Sequence, residues 1–138
     1  MKLLLQSLSL ALGILLLTQA RAHAAEQSFE SSVEQVQLIE LYTSEGCSSC
    51  PPADKHLSRL MSDEGLWRER IPLAFHVDYW DYIGWEDPFA QRQFSNRQRT
   101  HQITGAVRSI YTPGWVVDGK EWRGFFARRG LPGESNRT

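Results

Sequence analysis

Apolar and polar positions along this chain alternate between short extended runs and helical stripes. Val36-Gln37-Leu38-Ile39-Glu40-Leu41-Tyr42 is short, β-branched and aromatic, which predicts a strand. Thr43 to Gly46 is a turn. Pro51 and Pro52 suit the first turn of a helix, where N–H groups lack intrahelical partners anyway. Leu57, Leu60 and Met61 then fall at i, i+3 and i+4 and predict its buried face, before Asp63-Glu64-Gly65 ends it. Ile71 to Asp78 predicts a second strand, parallel to the first because a helix connects them in a right-handed βαβ unit. Pro88, capped by Asp87, opens a second helix reaching about Gln102. Ser109 to Pro113 predicts a third strand. Trp115-Val116-Val117 predicts a fourth, turning at the hairpin signal Asp118-Gly119. Glu121 to Arg129 predicts a short helix through Trp122, Phe125 and Phe126, interrupted by Gly124. The sum is an α/β fold: a mixed four-stranded sheet with flanking helices.

The N-terminus has a different pattern. Lys2, the apolar run Leu8 to Leu17 and the small residues of Ala22-His23-Ala24 make residues 1–24 a signal peptide, with an uncleaved anchor as the alternative. The run is short for a membrane span, which needs about 20 apolar residues. Residues 25–32 are expected to be a flexible lead-in, 33–126 a single domain and 127–138 a linker-like tail. Export implies a periplasmic or secreted protein, with no membrane attachment after cleavage. The net charge of −1 and the scattered basic residues argue against nucleic-acid binding.

Export also changes what the two cysteines mean, since a disulfide persists in an oxidising compartment. Cys47 and Cys50 are the only cysteines, and they lie between a predicted strand and a predicted helix. In that context Cys-x-x-Cys reads as a redox site on a thioredoxin-like fold. A pair closing so small a loop is a weak staple, because loop-closure stabilisation grows with loop length. Three meanings stay open: redox chemistry, an inert structural disulfide, and a metal pair.

Three stretches carry a resemblance. They are Glu40-Leu41-Tyr42-Thr43-Ser44-Glu45-Gly46-Cys47-Ser48-Ser49-Cys50-Pro51-Pro52-Ala53-Asp54, Phe75-His76-Val77-Asp78-Tyr79-Trp80-Asp81-Tyr82-Ile83-Gly84-Trp85, and Val107-Arg108-Ser109-Ile110-Tyr111-Thr112-Pro113, with Arg97-Gln98 also fitting the pattern. Over about residues 33–125 the chain resembles a family of exported bacterial proteins with a thioredoxin-like fold, filed as a domain of unknown function. Members of that family continue into further β-rich sequence. The chain is therefore expected to be a fragment or truncated product that lacks the last helix of the fold.

The resemblance implies that Cys47 attacks and Cys50 resolves, and that Pro113 is cis, in a loop facing the cysteines. Thr112 would then offer its backbone to an extended substrate chain. The exchange partners would be thiols of exported polypeptides or a redox partner protein, and no cofactor is implied. Gly46 is expected to leave Cys47 open to approach. Glu40, if buried in its apolar strand, would have a raised pKa and relay a proton to Cys50; the alternative is a solvent-facing edge position. Tyr79, Trp80, Tyr82, Trp85 and Phe89 are candidates for rimming a groove beside the cysteines and gripping an apolar polypeptide, unless they only pack the long aromatic loop onto the sheet. In the metal alternative, His76 and Asp78 join Cys47 and Cys50 around copper or zinc. Arg97 is expected to pair with Asp78 or Asp81.

Overall fold

The strand at the centre of the sheet is β1 (Gln37–Thr43), and its alternation of side chains builds two cores. In the computed structural model, which describes residues 35–132, it is followed by α1 (Pro51–Arg59), β2 (Arg70–His76), α2 (Arg92–Ile103), β3 (Gly114–Val117) and β4 (Lys120–Glu121). The sheet order is β2-β1-β3-β4. β1 and β2 run parallel, with Ile39 opposite Pro72, and β3 is antiparallel to both β1 and β4. Pro72 is accommodated because β2 is an edge strand, where a missing N–H costs no ladder bond. The result is a mixed four-stranded α/β sheet with flanking helices, consistent with a thioredoxin-like arrangement.

Ile39 and Leu41 point to one face. There they pack with Ala53 and Leu60, and with Trp115, Val117 and Leu131. Burying Ile39, Leu41, Leu60 or Val117 contributes roughly 1.5–3 kcal/mol each relative to leaving it exposed. Glu40 and Tyr42 point to the other face, where Val77, Val107 and Val116 form a second core near α2. Leu131, in the stretch expected to be a linker, is part of the first core.

Three local expectations are corrected. Met61 is exposed, because α1 ends at Arg59 and Leu60–Ser62 is a 3₁₀ turn. The tighter winding carries Met61 away from the face that Leu57 and Leu60 share. Ser109 to Pro113 is not a strand. Its polar groups are taken by side chains instead: Gln98 donates to the Tyr111 carbonyl at 2.8 Å, and the Trp80 indole donates to Thr112 Oγ1 at 2.8 Å. The fourth strand is β4 instead, paired with β3 across Asp118-Gly119. Both turn residues have positive φ, 49° and 75°, as a two-residue type I′ hairpin requires. The stretch after β4 forms only a 3₁₀ turn, Gly124–Ala127, and no α-helix follows β4 among the described residues.

The expected signal peptide, residues 1–24, and the expected lead-in, residues 25–32, lie outside the described residues. Among the described residues no helix is long and apolar enough to cross a membrane.

Candidate functional site

β1 ends at Thr43, and the chain turns through Ser44 to Ser49 before α1 begins. Cys47 and Cys50 are joined in a disulfide across this turn, with their Cα atoms 5.4 Å apart. Successive tight turns place them. The Cys47 amide donates to the Ser44 carbonyl, and the Cys50 amide donates to the Cys47 carbonyl, both at 3.1 Å. Cys50 is the N-cap residue of α1. Cys47 is 3% exposed and Cys50 0%, so only Cys47 reaches the surface at all.

The helix N-terminus offers few free donors to sulfur. Pro51 and Pro52 have no N–H, and the amides of Ala53 and Asp54 both donate to the Cys50 carbonyl, at 2.8 and 3.1 Å. The hydrogen-bonding group placed beside Cys47 Sγ is the Ser49 hydroxyl, at 3.5 Å. Thr43 Oγ1 donates to Asp54 Oδ1 at 2.7 Å, which fixes the first turn of α1 against the end of β1. Asp54 is one helical turn on from Cys50 and shares its face.

Gly46 is not an open approach to Cys47. A Cβ there would lie 3.2 Å from both Trp80 Cβ and Ile83 Cδ1, so the glycine admits the chain's own 3₁₀ segment, Asp78–Ile83. That segment joins the disulfide turn to the third motif. Trp80 packs at Gly46 through its Cβ and reaches Thr112 through its indole, and the Thr112–Pro113 peptide bond is cis. Tyr79 is likewise engaged inward. Its hydroxyl donates to Gln98 Oε1 at 3.0 Å, and burial pushes its phenol up to about 12 despite that bond. Trp85 differs: its ring is exposed, while its indole N–H donates to Glu45 Oε2 at 2.9 Å.

Asp87 holds this loop to the cysteine turn. Its Oδ2 accepts the Glu45 amide at 2.9 Å and lies 2.7 Å from His76 Nδ1. Its Oδ1 accepts the Phe89 amide, and its own amide donates to Asp81 Oδ1. Burial opposes its ionisation, but the Glu45 amide, His76 and the Phe89 amide together outweigh burial and lower its pKa. Asp87 therefore caps a turn between β2 and α2, not α2 itself, whose N-cap is Gln91. Asp78 is bonded to Ser95. Among the described residues no group of three or more His, Cys, Asp or Glu side chains is placed to hold a metal ion. His76 and Asp78 thus do not join the cysteines in one ligand set.

Glu40 is 1% exposed, and its carboxylate is saturated with donors. Arg97 binds both oxygens, through Nε at 3.0 Å and Nη2 at 2.7 Å; Tyr42 donates at 2.6 Å and His101 Nε2 lies at 3.1 Å. Burial alone would raise its pKa, as expected from the strand. Arg97, Tyr42 and His101 overcome burial, and the pKa is lowered. Arg97 thus pairs with Glu40 and not with Asp78 or Asp81. Glu40 faces α2, across the sheet from the core into which α1 packs.

The residues not singled out from the sequence are Asp54, Glu45 and Ser49, and the sequence marks Asp87 only as a helix cap. Asp54 at i+4 from Cys50 was a readable signal. The partners of Glu45 and Asp87 are set by loop closure, which leaves no periodic trace.

None of the curated proteins is significantly similar to this chain. A crystal structure of a structural-genomics protein from Agrobacterium tumefaciens is 34% identical, with a TM-score of 0.54. The alignment covers 70% of this chain and 45% of that one, so this chain spans less than half the length of its solved relative. Residues 38–130 match the family described as protein of unknown function (DUF1223), and the chain belongs to that family.

Proposed function

We propose that this chain is a thiol–disulfide exchange protein acting outside the cytoplasm on thiols of exported polypeptides. The observation that supports this most is the Cys47–Cys50 disulfide at the junction of β1 and α1, with the sulfur of the N-cap residue inside and that of Cys47 at the surface side. An incoming thiolate attacks Cys47 Sγ. A bond forms between the substrate sulfur and Cys47, the Cys47–Cys50 bond breaks, and its electron pair leaves on Cys50 Sγ. A second thiolate of the substrate then attacks the substrate sulfur of the mixed disulfide and expels Cys47 as thiolate. The substrate loses two electrons and the cysteine pair gains them; run backward, the same steps reduce a substrate. Export, on which the oxidising setting depends, rests on the charged, apolar and small-residue pattern of residues 1–24.

The test is to mix the oxidised chain with a dithiol peptide and follow both species by mass spectrometry. Exchange predicts a peptide disulfide and a reduced chain. Cys47→Ser should abolish transfer, while Cys50→Ser, mixed instead with the oxidised peptide, should accumulate a mixed disulfide as Cys47 attacks the peptide disulfide and a peptide thiolate leaves.

One observation favours a second reading, a binding module with a structural disulfide: both cysteines are almost wholly buried. Under that reading the native pair resists dithiothreitol until the chain unfolds. Under the first it is reduced while the fold persists.

A further inference from the structure

The aromatic loop presents only part of the set of side chains expected to grip a substrate. Tyr79 and Trp80 are committed inward, to Gln98 and Thr112. Tyr82, Trp85 and Phe89 are 82%, 58% and 61% exposed, and Ile83 beside them is exposed as well. These positions are not loosely held. Ile83 abuts Gly46, Trp85 is pinned to Glu45, and Phe89 meets the His76 ring edge-on at 5.4 Å, next to Asp87. Exposed aromatic rings held beside the cysteine turn form an apolar surface of the kind that marks an interaction site.

Its charge has one sign. No lysine or arginine occurs between Arg70 and Arg92, whereas the stretch contains Asp78, Asp81, Glu86 and Asp87. Arg92 itself is turned to Asp78, at 4.0 Å. Glu45 and Glu86 are exposed next to the Trp85 ring. An aromatic face flanked by carboxylates attracts an ammonium or guanidinium group through the ring quadrupole and the charges together.

We propose that Tyr82, Ile83, Trp85 and Phe89, with Glu45 and Glu86, dock a basic polypeptide segment, so that the substrates are thiols flanked by lysine or arginine and an apolar residue. This rests on the exchange reading for its link to thiols, but docking can be measured without exchange.

The probe is a short fluorescent peptide with lysine and leucine around a serine that replaces the cysteine; the control carries glutamate for lysine. With the purified oxidised chain, anisotropy should show the basic peptide binding about tenfold more tightly than the acidic one. The preference should shrink as salt rises. Trp85→Ala should weaken binding, and so should Glu86→Gln, which alters charge without altering shape. Equal binding of the two peptides overturns the proposal, as does basic-peptide binding unchanged in both variants. Cysteine versions of the same peptides separate the two claims. Exchange at equal rates with both overturns docking and leaves exchange standing. Preferential binding of the serine peptide without exchange by either cysteine peptide supports docking and overturns exchange.

Discussion

Arg97 reaches from α2 to the middle strand of the sheet and takes both carboxylate oxygens of Glu40 in a two-point grip, at 2.7 and 3.0 Å. Glu40 is thereby held as a carboxylate inside a strand that is otherwise apolar, and α2 is tied to the sheet by a charge pair as well as by packing. This pair gives the buried acid a positioning and stabilising role on the α2 side.

Replacing Glu40 with Gln should therefore destabilise the fold by about 1–3 kcal/mol, below the usual range for breaking a buried pair because Arg97 is partly solvated. The pH dependence has a definite sign. The folded pKa of Glu40 is lowered, so the stability it contributes is complete above its ordinary value of 4.5 and is lost as pH falls through the folded value. Urea titrations across acid pH should show the gap between the native chain and Glu40→Gln closing on acidification. A gap that stays constant through that window would contradict the assignment.

Ser49 is the hydroxyl at Cys47 Sγ, and the adjacent helix amides are either absent or bonded to the Cys50 carbonyl. Ser49→Ala should raise the Cys47 thiol pKa by roughly half a unit to one unit, the scale of one weak hydrogen bond. Ser48→Ala should leave it unchanged. The readout is thiolate absorbance against pH in a Cys50→Ser background.

His56 sits among Trp115, Trp122 and Phe125, and its Nε2 is buried without a hydrogen-bond partner among the described residues. A buried unsatisfied polar atom costs about 1–3 kcal/mol. His56→Phe should therefore raise the thermal midpoint, with the gain reduced by the extra ring volume. A lowered midpoint would show that the nitrogen is satisfied in solution.

Much of this fold was legible because its signals are local. β1, α1, β2 and the Asp118-Gly119 hairpin follow from alternation, proline placement and turn chemistry. Ser109 to Pro113 misled because a β-branched, aromatic run looks like a strand whether its backbone pairs with a neighbour or with side chains such as Gln98. Met61 misled because a switch from α to 3₁₀ winding rotates a side chain without altering the sequence pattern. Within the site the cysteine pair was legible, whereas the partners of Glu40 and Gly46 were not. Arg97 lies 57 residues from Glu40, and Trp80 and Ile83 reach Gly46 only when the loop closes. Pairings of that kind are set by topology.

The central claim is that Cys47 is the exchanging thiol, and the most direct test is the alkylation rate of each single-cysteine variant against pH. Cys47, studied in Cys50→Ser, should react faster than Cys50, studied in Cys47→Ser, and its rate should rise with an apparent pKa below the ordinary thiol value of about 8.5. Two ordinary thiols titrating near that value, or a faster Cys50, would contradict the account and leave the pair as a structural disulfide or reverse its roles.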